Sequence, residues 1–153
     1  MSINNNGRVG IGTSAPVSAL HVIGTVTATA FNPPSDRNLK ENLKPVDSRE
    51  VLEKVAALPI SRWNFKEDTT TPHVGPMAQD FHAAFGLGES DRAIGSVDAD
   101  GVALAAIQGL NQKLTDELKR RDVENASLKQ RLENLERLMN DKLKGSNARP
   151  RPE

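Results

Sequence analysis

Apolar and polar positions follow three different rhythms along the chain. Over residues 1–31 short β-like runs alternate with glycine and turn residues. VGIGT (Val9 to Thr13) sets large apolar side chains against glycine, and LHVIGTVTATAF (Leu20 to Phe31) is rich in Val and Thr. Strands this short bury little surface alone, so they are expected to need copies of themselves from other chains. Residues 46–58, VDSREVLEKVAAL, then take up a helical rhythm. Asp47 or Ser48 is the expected N-cap, Val51, Leu52, Val55 and Leu58 the apolar stripe, and Pro59 the stop. ISRWNF (Ile60 to Phe65) alternates as a strand does, and KEDTTTP (Lys66 to Pro72) reads as a loop at a hairpin tip. A strand over Val74 to Met77 and a short helix from Gln79 to Phe85, closed by Gly86, are expected next. AIGSVD (Ala93 to Asp98) reads as a third short strand, and DADG (Asp98 to Gly101) as a turn and helix cap.

The third rhythm is a heptad. From Val102 to Lys144 there is no proline, and Gly109 is the one interior glycine. Asn111, Leu118, Asn125, Leu132 and Met139 fall at a, with Ile107, Leu114, Arg121, Leu128 and Leu135 at d. On the flanks Glu124 (g) would meet Lys129 (e) of a parallel neighbour, and Arg131 (g) would meet Glu136 (e). Glu117 facing Asp122 runs against that pattern. Such pairs set orientation while the leucines hold the helices together. Asn111, Arg121 and Asn125 interrupt the seam, and buried polar seam residues commonly fix register or strand number. The heptads alone leave two and three strands open. GSNARPRPE after the helix reads as a disordered tail, residues 145–153.

Composition narrows the classes of function. Lys plus Arg equals Asp plus Glu at 20 each, so no basic excess is available to hold a phosphate backbone, and nucleic acid is not an expected partner. No apolar run approaches the roughly 20 residues of a membrane span, and MSINNNGRVG lacks the segments of a secretory signal. With no cysteine there is neither a disulfide framework nor a thiolate metal site. Tyrosine is absent, so Trp63 and four Phe are the large anchors. His21, His73 and His82 show no metal spacing, and DADG lacks the remaining ligand positions of a calcium loop. No metal and no cofactor are expected. P-loop, dinucleotide and GxSxG signatures are missing, which argues against conventional multiple-turnover catalysis.

The order of parts resembles one family. The Gly-rich β stub precedes SDRNLKEN; a helix ending in ALP, a strand with Trp-Asn-Phe, the segment HVGPMAQD, SVD and a coiled coil follow. This resembles the intramolecular chaperone auto-processing domain at the C-termini of phage tail spikes and tail fibres, endosialidases among them, and of related bacterial and animal proteins. The resemblance covers about residues 32–140, and the Ser-Asp…Leu-Lys-Glu-Asn and Gly-x-x-Ala-Gln-Asp runs carry most of its specificity. It implies a homotrimeric clamp that holds the upstream fibre or spike domain of the same chain in register. It also implies a virion protein assembled in the host cytoplasm, or alternatively one of a bacterial surface. In many members the clamp then cuts itself off before the motif serine. The matching positions are Ser35 as nucleophile, Lys40 as its base and Pro34–Ser35 as the scissile bond, with His73, Gln79 and Asp80 as supporting residues.

A serine hydroxyl needs a neighbour to take its proton, and a lysine can do so only as the neutral amine. Five residues apart, Ser35 and Lys40 lie on different faces of a helix and opposite faces of a strand. A bend within DRNL, or a Lys40 from another subunit, is required to join them, which would tie cleavage to assembly. Pro33 and Pro34 stiffen the chain just before the attacked carbonyl.

The expected fold class is α+β: β-stalk strands over 1–31, a small mixed chaperone domain over 32–101 and a coiled-coil trimerisation helix over 102–144. Its expected core runs through Ile107, Leu114, Leu118, Leu128, Leu132, Leu135 and Met139. Two other readings stay open: a non-cleaving trimeric cap or attachment tip, and a generic coiled-coil adaptor.

Overall fold

A computed structural model describes residues 1–147. The fold is α+β, with five strands in two small sheets and three α-helices among the described residues, the last of them long. The chain divides into two compact units, Met1–Asn42 and the part from Leu43 onward.

In the first unit β1 (Ser2–Ile3) pairs antiparallel with β2 (Val9–Ile11), and β2 pairs parallel with β3 (Leu20–Val22). Asn4 makes the β1–β2 turn: its Oδ1 accepts from the backbone N–H groups of Asn6 and Arg8, both at 3.0 Å. The sheet is small, and Ile3, Val17, Leu20 and Ile23 remain exposed. The strand expected over residues 20–31 stops at Val22. Val and Thr favour extended backbone, but a ladder also needs a neighbouring strand, and among the described residues none lies beside residues 24–31.

The second unit opens with α1 (Ser48–Ala57). Asp47 is its N-cap, accepting from the N–H groups of Arg49 and Glu50 at 2.9 and 3.2 Å. β4 (Ser61–Phe65) and β5 (Asp68–Gly75) form an antiparallel hairpin that turns at Lys66 and Glu67. The expected loop over 66–72 is thus mostly strand, and β5 ends at Gly75 instead of Met77. The tip can be this tight because Asp68 Oδ1 accepts from the Thr70 hydroxyl and from the backbone of Thr70 and Thr71. Hydrogen bonding from the Thr71 side chain first, and then from Thr70, holds the Asp68 carboxyl well below the usual carboxylate range. Trp63, Phe65 and His73 cluster on one hairpin face, with the Trp63 and His73 rings stacked at 4.8 Å. The buried Trp63 indole N–H finds no hydrogen-bond partner.

α2 (Ala78–Phe85) ends at Gly86, whose φ of 64° is the left-handed conformation that glycine adopts at no steric cost. α3 (Ser96–Asn147) follows. The expected third strand over Ala93 to Asp98 and the turn over Asp98 to Gly101 are absent, since Ser96 to Gly101 already belong to α3. A lone short strand would have no ladder to join, whereas Asp98 suits the positive end of a helix. The backbone N–H groups of Asp98 and Ala99 bond the Gly95 carbonyl at 3.1 and 3.0 Å. At the other end the helix passes residue 145, and the rest of the expected tail lies outside the described residues. Among the described residues no helix is long and apolar enough to cross a membrane.

α1 packs along the first part of α3. Val102, Ala106 and Gly109 are buried there, and a Cβ at Gly109 would stand 2.0 Å from the Ser48 carbonyl oxygen. Small residues bring the two backbones together, and an Arg49–Asp116 ion pair closes the contact. In the heptad frame these positions are c and f, on the side of α3 away from the a/d seam. The seam residues Ile107, Leu114, Leu118, Leu128, Leu132, Leu135 and Met139 are each 51–63% exposed.

Candidate functional site

The motif residues Pro34, Ser35 and Lys40 all belong to the first unit. Between Ser35 and Lys40 the chain makes a single 3-10 turn, Arg37–Leu39. Asp36 caps it: Oδ1 accepts from the backbone N–H of Asn38 at 2.9 Å and from the Asn38 side-chain amide at 3.1 Å. The Lys40 N–H bonds the Arg37 carbonyl at 3.1 Å, after which the chain is extended again. Across this turn the Lys40 Nζ donates to Ser35 Oγ at 2.8 Å.

Of the two ways to join the pair, the bend within DRNL is the one realised, and the contact needs no second subunit. Both side chains are exposed in the single chain, as is Pro34. The arrangement can serve a proton transfer, because one atom of a potential base stands within hydrogen-bond reach of a hydroxyl. Asn42, two residues on, takes a φ of 56°, which redirects the backbone where the first unit ends.

His73, Gln79 and Asp80 lie in the second unit. His73 sits on β5 against Trp63, while Gln79 and Asp80 are exposed in the first turn of α2. Among the described residues none of these three side chains makes a hydrogen bond, and no group of three His, Asp or Glu is placed to hold a metal ion.

Two residues take roles that the family motif does not name. Asp36 matters as the cap that makes the bend, and its signal was local: an Asp one place before a short polar turn. Gly109 matters as the contact point for α1, and the small residues Ala105, Ala106 and Gly109, opposite the seam, were its signal.

Comparison with known proteins bears on the same stretch. Residues 35–86 match the family model described as chaperone of endosialidase. The match begins at Ser35 and ends at Gly86, so it takes in the 3-10 turn, α1, the hairpin and α2. An uncharacterized protein of Dictyostelium discoideum is 33% identical over 84 residues, which cover 50% of this chain and 7% of that protein. The chain therefore spans a small part of the length of that relative. Over residues 35–86, from the Ser35–Lys40 pair to the close of α2, the chain is similar to the chaperone-of-endosialidase family.

Proposed function

We propose that this chain is an intramolecular chaperone that trimerises through α3, sets an upstream β-fibre in register and then cuts itself free. The observation that carries the reading is the placement of α1. It covers the c/f side of α3 and leaves the whole a/d seam, Ile107 to Met139, without a partner in its own chain. Apolar seams of this length are buried in coiled coils by further helices. Three copies follow the family resemblance, with residues 1–31 as the stalk fragment, 32–101 as the chaperone body and 102–144 as the coil. The exposed apolar residues of the stub fit the same picture, since neighbouring stubs supply the strands that the single chain lacks. The assembly works on a phage tail fibre or spike.

Cleavage is a single turnover in cis. Ser35 Oγ attacks the Pro34 carbonyl carbon as its proton passes to the neutral Lys40 amine. The Pro34–Ser35 C–N bond breaks, and the Lys40 ammonium returns the proton to the leaving Ser35 nitrogen. Water then hydrolyses the ester, leaving a Pro34 carboxylate and the Ser35 hydroxyl. Lys40 is suited to this role once its amine is desolvated. Packing of three stubs around residues 32–42 supplies that burial, and in this way assembly switches on a pair that already touches.

Intact mass of the wild type, Ser35→Ala and Lys40→Ala, with molar mass from light scattering, tests the reading. Trimers that lose residues 1–34 only in the wild type support it. Trimers that keep full length in all three mark a permanent cap or attachment tip, and a folded monomer at micromolar concentration overturns the chaperone itself.

A further inference from the structure

The cleft between the N-terminal end of α1 and the middle of α3 has a charge that a second copy can match, given the self-association proposed above. It holds about 460 Å³, and Arg49, Leu110, Leu114, Glu117 and Arg120 are among its walls. Lys113 and Asp116 complete a lining of three cations against two carboxylates. Both carboxylates are already engaged within the chain. Asp116 pairs with Arg49. Glu117 accepts from Arg120 Nε and Nη2 at 3.0 and 2.7 Å, and from Arg121 Nε at 2.9 Å. The free balance at this place is positive.

In a parallel coil, a g residue lies beside the following e residue of its neighbour. Leu110 and Glu117 stand at g, so Thr115 and Asp122 of the neighbouring copy face this cleft. Read as a bare pair, Glu117 and Asp122 repel. With two guanidinium groups on Glu117, the sign reverses. Among the described residues Asp122 has no ion-pair partner in its own chain. We infer that the cleft is a docking site for the e edge of a second copy, where Arg120 receives Asp122 of that copy. The contact joins the α1–α3 pair of one chain to the coil of the next, and it favours parallel, in-register assembly.

Sedimentation equilibrium of the full chain separates the two signs. Asp122→Lys should weaken trimer assembly on the order of tenfold, summed over three exposed contacts, and Asp122→Asn roughly threefold. Arg120→Glu combined with Asp122→Lys should recover assembly to within about threefold of the wild type. Circular dichroism checks that each variant keeps its helix. If Asp122→Lys assembles as well as the wild type or more tightly, Asp122 faces a bare Glu117 or solvent, and the inference fails. A wild type that does not self-associate instead removes the chaperone reading on which the inference rests.

Discussion

A methyl group at Gly109 would stand 2.0 Å from the Ser48 carbonyl oxygen and 3.0 Å from Leu52 Cβ. In an unpacked helix, Gly→Ala is stabilising by about 1 kcal/mol. Here overpacking against backbone should outweigh that gain, at a cost of about 1–3 kcal/mol. Gly109→Ala is therefore expected to lower the thermal midpoint. A raised midpoint would mean that α1 does not sit on α3 in solution.

Leu128 is 51% exposed among the described residues. Leu128→Asp places one charge from each copy in a single layer of the proposed seam. It should shift the molar mass to that of one chain at micromolar concentration and reduce helical circular dichroism, because a lone helix beyond α1 is marginal in water. The α1–α3 contact lies earlier in the helix and should keep its amide protection. Unchanged molar mass would show that the seam is not what joins the copies.

Asp36 offers a test of the bend that is independent of the dyad itself. Removing an N-cap acceptor costs about 1 kcal/mol, so Asp36→Ala should lower the population of the turn, and the rate of fragment release, roughly fivefold. Asp36→Asn keeps an acceptor oxygen and should release at close to the wild-type rate. Equal slowing in both variants would point to the charge of Asp36 in place of its cap. Release is read by intact mass over time.

Glu117 supplies a pH signature. Hydrogen bonds from Arg120 and then Arg121 pull its carboxyl down from 4.5 to about 2. A folded-state value below the unfolded one means that the contribution is fully present above about pH 4.5 and is lost as pH falls toward 2. The group is solvent-exposed, so screening keeps the effect small. Thermal midpoints of the wild type should fall over that acid window, and Glu117→Gln should flatten part of the slope. A Glu117→Gln curve that parallels the wild type would show that the arginines do not hold this carboxylate in solution.

Local signals were read well from the chain because they act within a few residues. Asp47 before an amphipathic run, Gly86 after one and Ser-Arg-Trp opposite His-Val-Gly each determine their own element. Two misreadings came where an element depends on a distant partner. Residues 24–31 and 93–95 have strand-like composition, yet among the described residues no strand lies beside them. The Ser35–Lys40 contact fell between these cases. Its spacing excludes both regular conformations and leaves the bend as one of two options, and the Asp36 cap that forms the bend carries only a local turn signal. The seam was legible as a heptad, but which side of α3 would receive α1 was not deduced, although Ala105, Ala106 and Gly109 mark it.

The seam lies downstream of Ser35 in the chain, and that order has a consequence for synthesis. A ribosome making this polypeptide delivers the serine, its lysine and the turn between them well before it delivers Ile107 to Met139. On the proposed function, a chain broken off in between would carry the Ser35–Lys40 pair but nothing with which to recruit companions. Such truncated products would be left out of the proposed assembly, and the position of the helix would then act as a proofreading step.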